Sequence, residues 1–598
     1  MAHAQTQSKG NGIPGFSEKP KDTKGAFRRL LAYALHDKWI LLLVLILSLL
    51  SNLLALFGPS LAGKAINEVA AGAGKVNFSL VYKYARLMLI FYVSSALLSY
   101  LISFIMMHVG RRLGRRMRSD IFDKMMKLRV GYFDRNQAGD IISRVSYDVD
   151  VVCTSFSTDL VQIVTSIVTV IGSFVMMLII SPFLVVVTLI TIPMALLYTR
   201  LLSQKTRPLF AKRSRCYGAM NGFVEEMFSG QTTINAYAAE DAVCFNFKTF
   251  NEDSSDAFYK ANYYASSMGP SVGFINNLGL SLICMLGSIL YMRHTVTLGQ
   301  ISSFVLYSRK FSSPINELAN ITSEILSALA ASERVFRMLD EEEEPADSED
   351  AIDALRVNGD VRLEHVSFGY LPEQTILHDL TLDAPHGKLV AIVGPTGAGK
   401  TTIINLLMRF YDVDGGTIFV DERPIPEMTR KSLRAAYAMV LQDTWLFNGT
   451  VFENIAYGKE NATLEDVIAA AKAARIHSFI MQLPEGYQTV IGEDGGTISK
   501  GQKQLLTIAR AFLFDAKMLI LDEATSNVDT TTEKQIQKAM RALMADKTCF
   551  IIAHRLSTIR NADEILVINH GDIVEQGSHT TLMQKKGFYY ELYQSQFE

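Results

Sequence analysis

Charge is scarce in this chain of 598 residues: acidic and basic side chains together make up 20 %, and 58 bases against 60 acids leave a formal net charge of -2. Mean hydropathy is +0.18, apolar for a soluble enzyme. Without a basic surplus the chain lacks the electrostatic footprint of a nucleic-acid binder, and nucleic acid is not expected as a partner. Cysteine is also thin: Cys153, Cys216, Cys244, Cys284 and Cys549 are scattered, with neither metal-ligand spacing nor a paired framework. They read as small apolar side chains rather than as a disulfide or metal scaffold. The start of the chain has no apolar core ahead of a cleavage site, so residues 1–24 read as a disordered cytoplasmic tail and not as a signal peptide. The length is too great for one core, which implies two or more domains.

What the chain does have is long apolar runs. Trp39 to Phe57 is almost wholly uncharged and long enough to cross a bilayer. Further spans read as Leu87–Val109, Leu160–Ser181, Phe183–Thr199 and Ser271–Met292, with a weaker sixth at Leu298–Leu318 that Arg309 and Lys310 interrupt. Ala26–Leu35 carries Arg28 and Arg29 on an apolar helix suited to the membrane interface. Basic residues crowd the ends of the second span (Arg111, Arg112, Arg115, Arg116, Arg118) and follow the fourth, whereas Ser181-Pro182 is an uncharged turn. By the positive-inside rule the basic ends are cytoplasmic, and so are both termini. Segments 111–158 and 200–268 are helix-patterned, so helices should run well beyond the membrane. The expected layout is an all-α six-helix membrane domain over 25–337, an acidic linker over 338–355, and a domain over 356–598 whose β-branched and helical runs alternate as in an α/β fold.

In that last domain Gly394-Pro395-Thr396-Gly397-Ala398-Gly399-Lys400-Thr401 fits the phosphate-loop pattern, between an apolar run Lys388–Val393 and a helical run that Thr402 opens. Glycines let backbone N–H groups close around phosphate oxygens, and a helix N-terminus adds a favourable dipole. Lys400 suits the β- and γ-phosphates and the Thr401 hydroxyl suits Mg2+. The apolar run Lys517–Leu521 ends in Asp522 and Glu523: Asp522 fits a magnesium ligand, and Glu523 fits the orientation or deprotonation of attacking water. A second run, Thr548–Ala553, ends at His554, placed either for the γ-phosphate or for a structural role. Gln442 follows Ala438–Leu441 and suits a link between magnesium and whatever senses nucleotide. Ser499 and Gly501, with Gln502, open the helix Leu505–Phe514 and form a second anion site.

These motifs in this order, together with Ser526-Asn527-Val528-Asp529, resemble the ATP-binding cassette (ABC) family, and the fused membrane domain resembles bacterial half-exporters. The resemblance covers nearly the whole chain. It implies an α/β P-loop ATPase domain behind the membrane bundle, ATP and Mg2+ as cofactors, and Tyr370 of Phe368-Gly369-Tyr370 stacked on adenine. It also implies a second half-transporter chain, whose signature segment caps the ATP held on this chain's loop. Phe133-Asp134, and Phe223–Tyr237 with Glu226 and Gly230, resemble the two coupling segments, expected near Gln442 and Gly492–Gly496.

The chain departs from the family at the signature, where Ile498 and Lys500 replace Leu and Gly. A lysine is costly there if the position needs positive φ. With Lys400, Gln442, Asp522, Glu523 and His554 intact, the combination resembles the catalytically complete subunit of heterodimeric multidrug exporters; the alternative is tolerated drift in a homodimer. Phe304, Tyr307, Arg309 and Phe311, with Phe274, Asn276 and Asn277, are the candidate cavity for hydrophobic or amphipathic compounds, or else they pack helices. The expected activity is ATP-driven export across the cytoplasmic membrane. A lipid or lipopeptide flippase and an ATP-gated channel or regulator stand as alternatives.

Overall fold

The computed structural model describes residues 22–72, 74–354, 357–441, 444–492, 498–522, 529–553 and 559–597. The chain divides into two compact units, Met1–Lys127 with Asn136–Glu341, and Leu128–Arg135 with Glu342–Glu598.

The first unit is helical. Helix α1 (Thr23–Ala34) is followed by α2 (Lys38–Val69) and α3 (Phe78–Met125). Next come α4 (Val130–Arg135), which groups with the second unit, and α5 (Ala138–Ser143). A turn of π-helix, Arg144–Asp148, leads into α6 (Val149–Ile180), then α7 (Pro182–Ser229), α8 (Gln231–Ala236), α9 (Glu240–Met292) and α10 (Leu298–Leu339). Among the described residues, five helical stretches are long and apolar enough to cross a membrane: Thr23–Val69, Phe78–Met125, Ala138–Ile180, Pro182–Ser229 and Glu240–Met292. The 48 residues of α3 rise about 72 Å, against a hydrocarbon core of about 30 Å. A helix of that length exceeds the thickness of the hydrocarbon core.

The sixth helix, α10, exists but is not among those five. Arg309 and Lys310 interrupt its apolar run, along with several serines. Pro59, inside α2, has no N–H and leaves the Ala55 carbonyl without its helical donor. Lys310 Nζ takes that carbonyl at 2.8 Å. One and two turns back along α10, Tyr307 Oη donates to Leu56 O at 2.6 Å and Ser303 Oγ to Pro59 O at 2.8 Å. Three side chains of α10 thus hold the α2 backbone around its proline. Farther down, Arg334 of α10 donates to both carboxylate oxygens of Asp148, Nε at 2.9 Å and a terminal nitrogen at 2.6 Å, and Asp148 is buried.

The second unit opens with the antiparallel strands β1 (Val361–Phe368) and β2 (Leu377–Ala384). Strand β3 (Leu389–Val393) precedes α11 (Lys400–Leu407), and β4 (Gly415–Val420) and β5 (Arg423–Pro424) complete a four-stranded sheet in the order β2-β1-β4-β5. Helix α12 (Arg430–Ala435) leads to β6 (Tyr437–Val440). The hairpin-like pair β7 (Gly449–Thr450) and β8 (Val490–Ile491) brackets α13 (Val451–Ala456), α14 (Leu464–Ala473) and α15 (His477–Ile480). Then follow α16 (Lys500–Phe514), β9 (Met518–Asp522), α17 (Thr530–Met544), β10 (Thr548–Ile552), β11 (Glu564–Asn569) and β12 (Asp572–Gly577). Two helices, His579–Lys585 and Phe588–Phe597, end the chain.

The second sheet runs β12-β11-β3-β10-β9-β6, parallel except for β12. Its central strands are buried on both faces, which is why they read as unbroken apolar runs such as Leu519-Ile520-Leu521. The acidic stretch after α10, expected as a linker, is tied to this unit by ion pairs. Glu344 pairs with Arg434, and Asp347 accepts from the Arg430 N–H and from its guanidinium, each at 3.1 Å.

Candidate active site

In a parallel sheet, ligands sit beyond the carboxyl ends of the strands. Strand β3 delivers the glycine loop there, and α11 leaves it. Three glycines of the loop adopt left-handed backbone, Gly394 at φ +155°, Gly397 at +82° and Gly399 at +106°. A Cβ on Gly394 would lie 2.1 Å from the Ile568 carbonyl oxygen, whereas one on Gly397 would meet nothing within 4 Å. The first glycine therefore answers to packing, and the second only to the bend. Gly399 is the N-cap of α11, so Lys400, Thr401 and Thr402 form its first turn, with N–H groups that have no partner inside the helix. Pro395 and Thr396 start the bend, and the Ala398 N–H closes it on the Pro395 carbonyl.

Lys400 Nζ folds back over the loop, donating to Gly394 O at 2.8 Å and Pro395 O at 2.9 Å. Burial lowers its pKa from the ordinary lysine value, and the charge of Asp522 opposes that shift. Asp522 ends β9, in register with Ile552 of β10, which pairs with Ile392 of β3. Asp522 and the loop thus share the carboxyl edge of the sheet, one strand apart. The Thr401 hydroxyl, exposed at the start of α11, and the Asp522 carboxylate are hard oxygen donors of the kind Mg2+ selects. A loop of free N–H groups, one partly desolvated ammonium and two oxygen donors fit a magnesium–nucleoside triphosphate. When bound, ATP supplies the phosphoryl group; the chain supplies charge and position.

Tyr370, 40 % exposed, is held at the rim. Its hydroxyl donates to Thr402 Oγ1 at 3.3 Å and accepts from Asn405 Nδ2 at 3.1 Å. Its ring meets Phe368 and Tyr411 edge-on, with centroids 5.1 Å away in each case. Asn405 and Tyr411 are not singled out by the sequence reading.

Ser499 is the N-cap of α16, and Gln502 completes a capping box: Ser499 Oγ accepts from the Gln502 N–H at 3.3 Å, and Gln502 Oε1 accepts from the Ser499 N–H at 2.9 Å. Lys500 is then the first helical residue, not a position of positive φ, and Gly501 is buried behind it. The condition for strain at Lys500, a need for positive φ, is not met. Gln442, Glu523, His554 and Ser526–Val528 lie outside the described residues.

Around Phe133 and Asp134 the chain forms α4, whose Asp134 carboxylate accepts from the Tyr411 hydroxyl at 2.5 Å. Glu226 is exposed on the last turn of α7, and the Gly230 N–H caps that turn on the Glu226 carbonyl at 2.9 Å. In the helical unit, Phe304 and Tyr307 are fully buried and Phe311 stacks on Phe174, in one core with Leu56, Met177 and Leu184. These three aromatics pack helices and do not line an open cavity. Phe274, 69 % exposed, lines a cleft of about 560 Å³ between α7 and α9 with Met194, Tyr198 and Pro270. Asn276 is half-buried, while Asn277 and Arg309 are exposed.

Comparison with known proteins accounts for this combination. Residues 41–315 match the ABC transporter transmembrane region and residues 377–526 the ABC transporter family model. The chain is 40 % identical over 580 residues to the uncharacterized ABC transporter ATP-binding protein YfiC of Bacillus subtilis, covering 97 % of this chain and 96 % of that one. It is 44 % identical over 525 residues to the fatty acid ABC transporter ATP-binding/permease protein of Mycobacterium bovis, covering 88 % and 83 %. A bacterial Atm1-family ABC exporter solved with ATP bound superposes with a TM-score of 0.73 at 30 % identity, over 96 % of this chain and 99 % of that one. The chain belongs to the ABC transporter family, as a half-exporter that joins one membrane domain to one ATPase domain. It is a membrane-embedded ATP hydrolase whose turnover is coupled to transport.

Proposed function

We propose that this half-exporter moves hydrophobic or amphipathic compounds out across the cytoplasmic membrane by alternating access, with both termini and the ATPase domain in the cytoplasm. The observation that carries the reading is the phosphate loop with Lys400 and Asp522 at one sheet edge, in the same chain as five bilayer-length helices. The relative named for fatty acids favours an amphiphile as cargo. The exposed Phe274 in the α7–α9 cleft supplies an apolar surface for an acyl chain or a drug.

In this reading Lys400 and the loop N–H groups hold the phosphates, Thr401 and Asp522 hold Mg2+ with Gln442, and Glu523 orients the attacking water while His554 contacts the γ-phosphate. Stabilising charge at a phosphoryl group that is already positioned is the main task of such a site. ATP selects a closed pair of ATPase domains and hydrolysis releases it, so each turnover swings the bundle once. The pair has two forms. In one, this chain supplies the hydrolytic loop of a heterodimer and lends the Lys500-bearing signature to its mate. The other is a homodimer, which the unstrained helical position of Lys500 favours. Expression of this chain alone decides between them: a stable dimer with full amphiphile-stimulated ATPase activity rules out the heterodimer, and a monomer or an inactive dimer rules out the homodimer.

A further inference from the structure

Three arginines near the end of the second span are matched to carboxylates: Arg112 and Arg116 to Asp37 at 3.5 and 3.4 Å, and Arg118 to Asp150 at 2.5 Å. Arg111 has no such partner among the described residues, and it opens onto a groove of about 620 Å³ between α3 and α6. The two helices meet over Gly110 and Gly114. A Cβ on Gly110 would lie 2.1 Å from Ser157 Oγ, and one on Gly114 would lie 3.0 Å from Cys153 Sγ. Small residues four apart let helices approach closely, and the groove is the space left beside that contact. Its lining changes character at a definite depth. The apolar run of α3 ends at Val109, and that of α6 begins at Leu160. Ile102, Met107 and Val161 line the groove on the hydrocarbon side of that level, and Arg111, Thr154 and Ser157 line it on the other. The neighbouring polar groups are engaged: Ser157 Oγ donates to the Cys153 carbonyl at 2.7 Å, and Gln162 donates to Glu317 at 2.7 Å. Of the groove's charged side chains, Arg118 and Asp150 neutralise each other, which leaves the exposed Arg111.

We propose that this groove seats one anionic phospholipid of the leaflet that meets the basic helix ends, with its phosphate on Arg111 and the first carbons of an acyl chain against Ile102, Met107 and Val161. On the orientation proposed above that leaflet is the cytoplasmic one; the seat itself does not depend on the orientation. The argument is depth and charge together. A guanidinium at the edge of the hydrocarbon presents paired N–H groups to phosphate oxygens, and the apolar wall begins about one helical turn away. A soluble anion would leave that wall bare. A zwitterionic headgroup would bring a second cation beside the arginines. The volume lies in the range of small-ligand sites, and the groove shares no residue with the α7–α9 cleft.

Native mass spectrometry of the purified transporter, with its mate where it has one, tests this with two probes of equal chains, dioleoylphosphatidylglycerol and dioleoylphosphatidylcholine. The wild type should retain one phosphatidylglycerol per copy of this chain and prefer it by about fivefold, the scale of one basic side chain at an anionic surface. Arg111→Gln should remove that preference, and Arg111→Lys should keep part of it. Because Arg111 makes no bond within the fold, Arg111→Gln should keep the wild-type thermal midpoint. Arg112→Gln, outside the groove, should leave the preference unchanged, and Thr154→Trp, which fills the groove, should lower retention of both lipids. Equal retention of the two lipids by the wild type, or an unchanged preference in Arg111→Gln, overturns the inference. Displacement of the lipid by millimolar inorganic phosphate also overturns it, since that marks a bare anion site. A photoreactive benzophenone side chain in place of Met107 identifies the occupant in nanodiscs. On illumination it should attach to phosphatidylglycerol; attachment to a protein chain in place of lipid overturns the inference.

Discussion

Lys310 Nζ rests 2.8 Å from the Ala55 carbonyl oxygen, the acceptor that Pro59 deprives of its helical partner. Each oddity offsets the other: a proline within a long apolar helix, and a lysine that interrupts another. Replacing Pro59 by alanine returns an N–H to that carbonyl and displaces the ammonium. The expected result is a loss of about 1–3 kcal/mol, read as a lower thermal midpoint in detergent. Lys310→Met should recover most of it in the double variant. Simple additivity of the two changes would show that the pairing is incidental.

The glycines of the phosphate loop should respond unequally to alanine. At Gly397 only the left-handed backbone resists, at about 1–2 kcal/mol, and the protein should fold. At Gly394 the new methyl group collides with the Ile568 backbone, so the variant should lose far more stability and should not bind ATP. Equal thermal shifts for the two would contradict the packing described here.

ATP affinity should fall as pH rises through the Lys400 pKa. Burial lowers the Lys400 pKa in the free protein, so its proton leaves at a lower pH than that of an exposed lysine, while a neighbouring triphosphate draws the proton back. Binding in the alkaline range is then accompanied by proton uptake, visible as calorimetric heats that depend on the buffer's ionisation enthalpy. The stability term has the opposite sense. The unfolded chain holds this proton to higher pH, so the cost of the buried charge is present at neutral pH and fades as pH rises through the folded pKa. Affinity that climbs with pH would refute the assignment.

Two phenylalanines separate packing from cargo. Phe304→Ala opens a cavity in the α2–α6–α10 core and should cost about 3–5 kcal/mol. Phe274→Ala should leave the thermal midpoint unchanged and alter ATPase stimulation by an amphiphilic dye. Stimulation untouched in Phe274→Ala would remove the α7–α9 cleft from the cargo path.

The spans and the phosphate loop were legible because their signals are local. A run of apolar residues needs a bilayer, and glycine at 394, 397 and 399 marks backbone that other residues avoid. The bond between Tyr411 and Asp134 was not legible, because the two stand 277 residues apart in the chain and a tyrosine after a helix carries no signal of its own. Of the two readings open for Phe304 and Tyr307, cavity wall or helix packing, the sequence could not choose, because aromatics spaced along a span look alike whether they face a cargo or another helix. The ties of the acidic linker are hidden in the same way: nothing local marks Glu344 and Asp347 as partners of Arg434 and Arg430, 90 and 83 residues on.

Every role given to this chain depends on ATP turnover driving a solute uphill. The direct measurement is accumulation of a fluorescent amphiphile into inside-out membrane vesicles that contain the transporter and any native mate. The wild type should concentrate the dye only with ATP, and Glu523→Gln should bind ATP yet concentrate none. Hydrolysis in the wild type without uphill accumulation, or near-normal accumulation in Glu523→Gln, would contradict it.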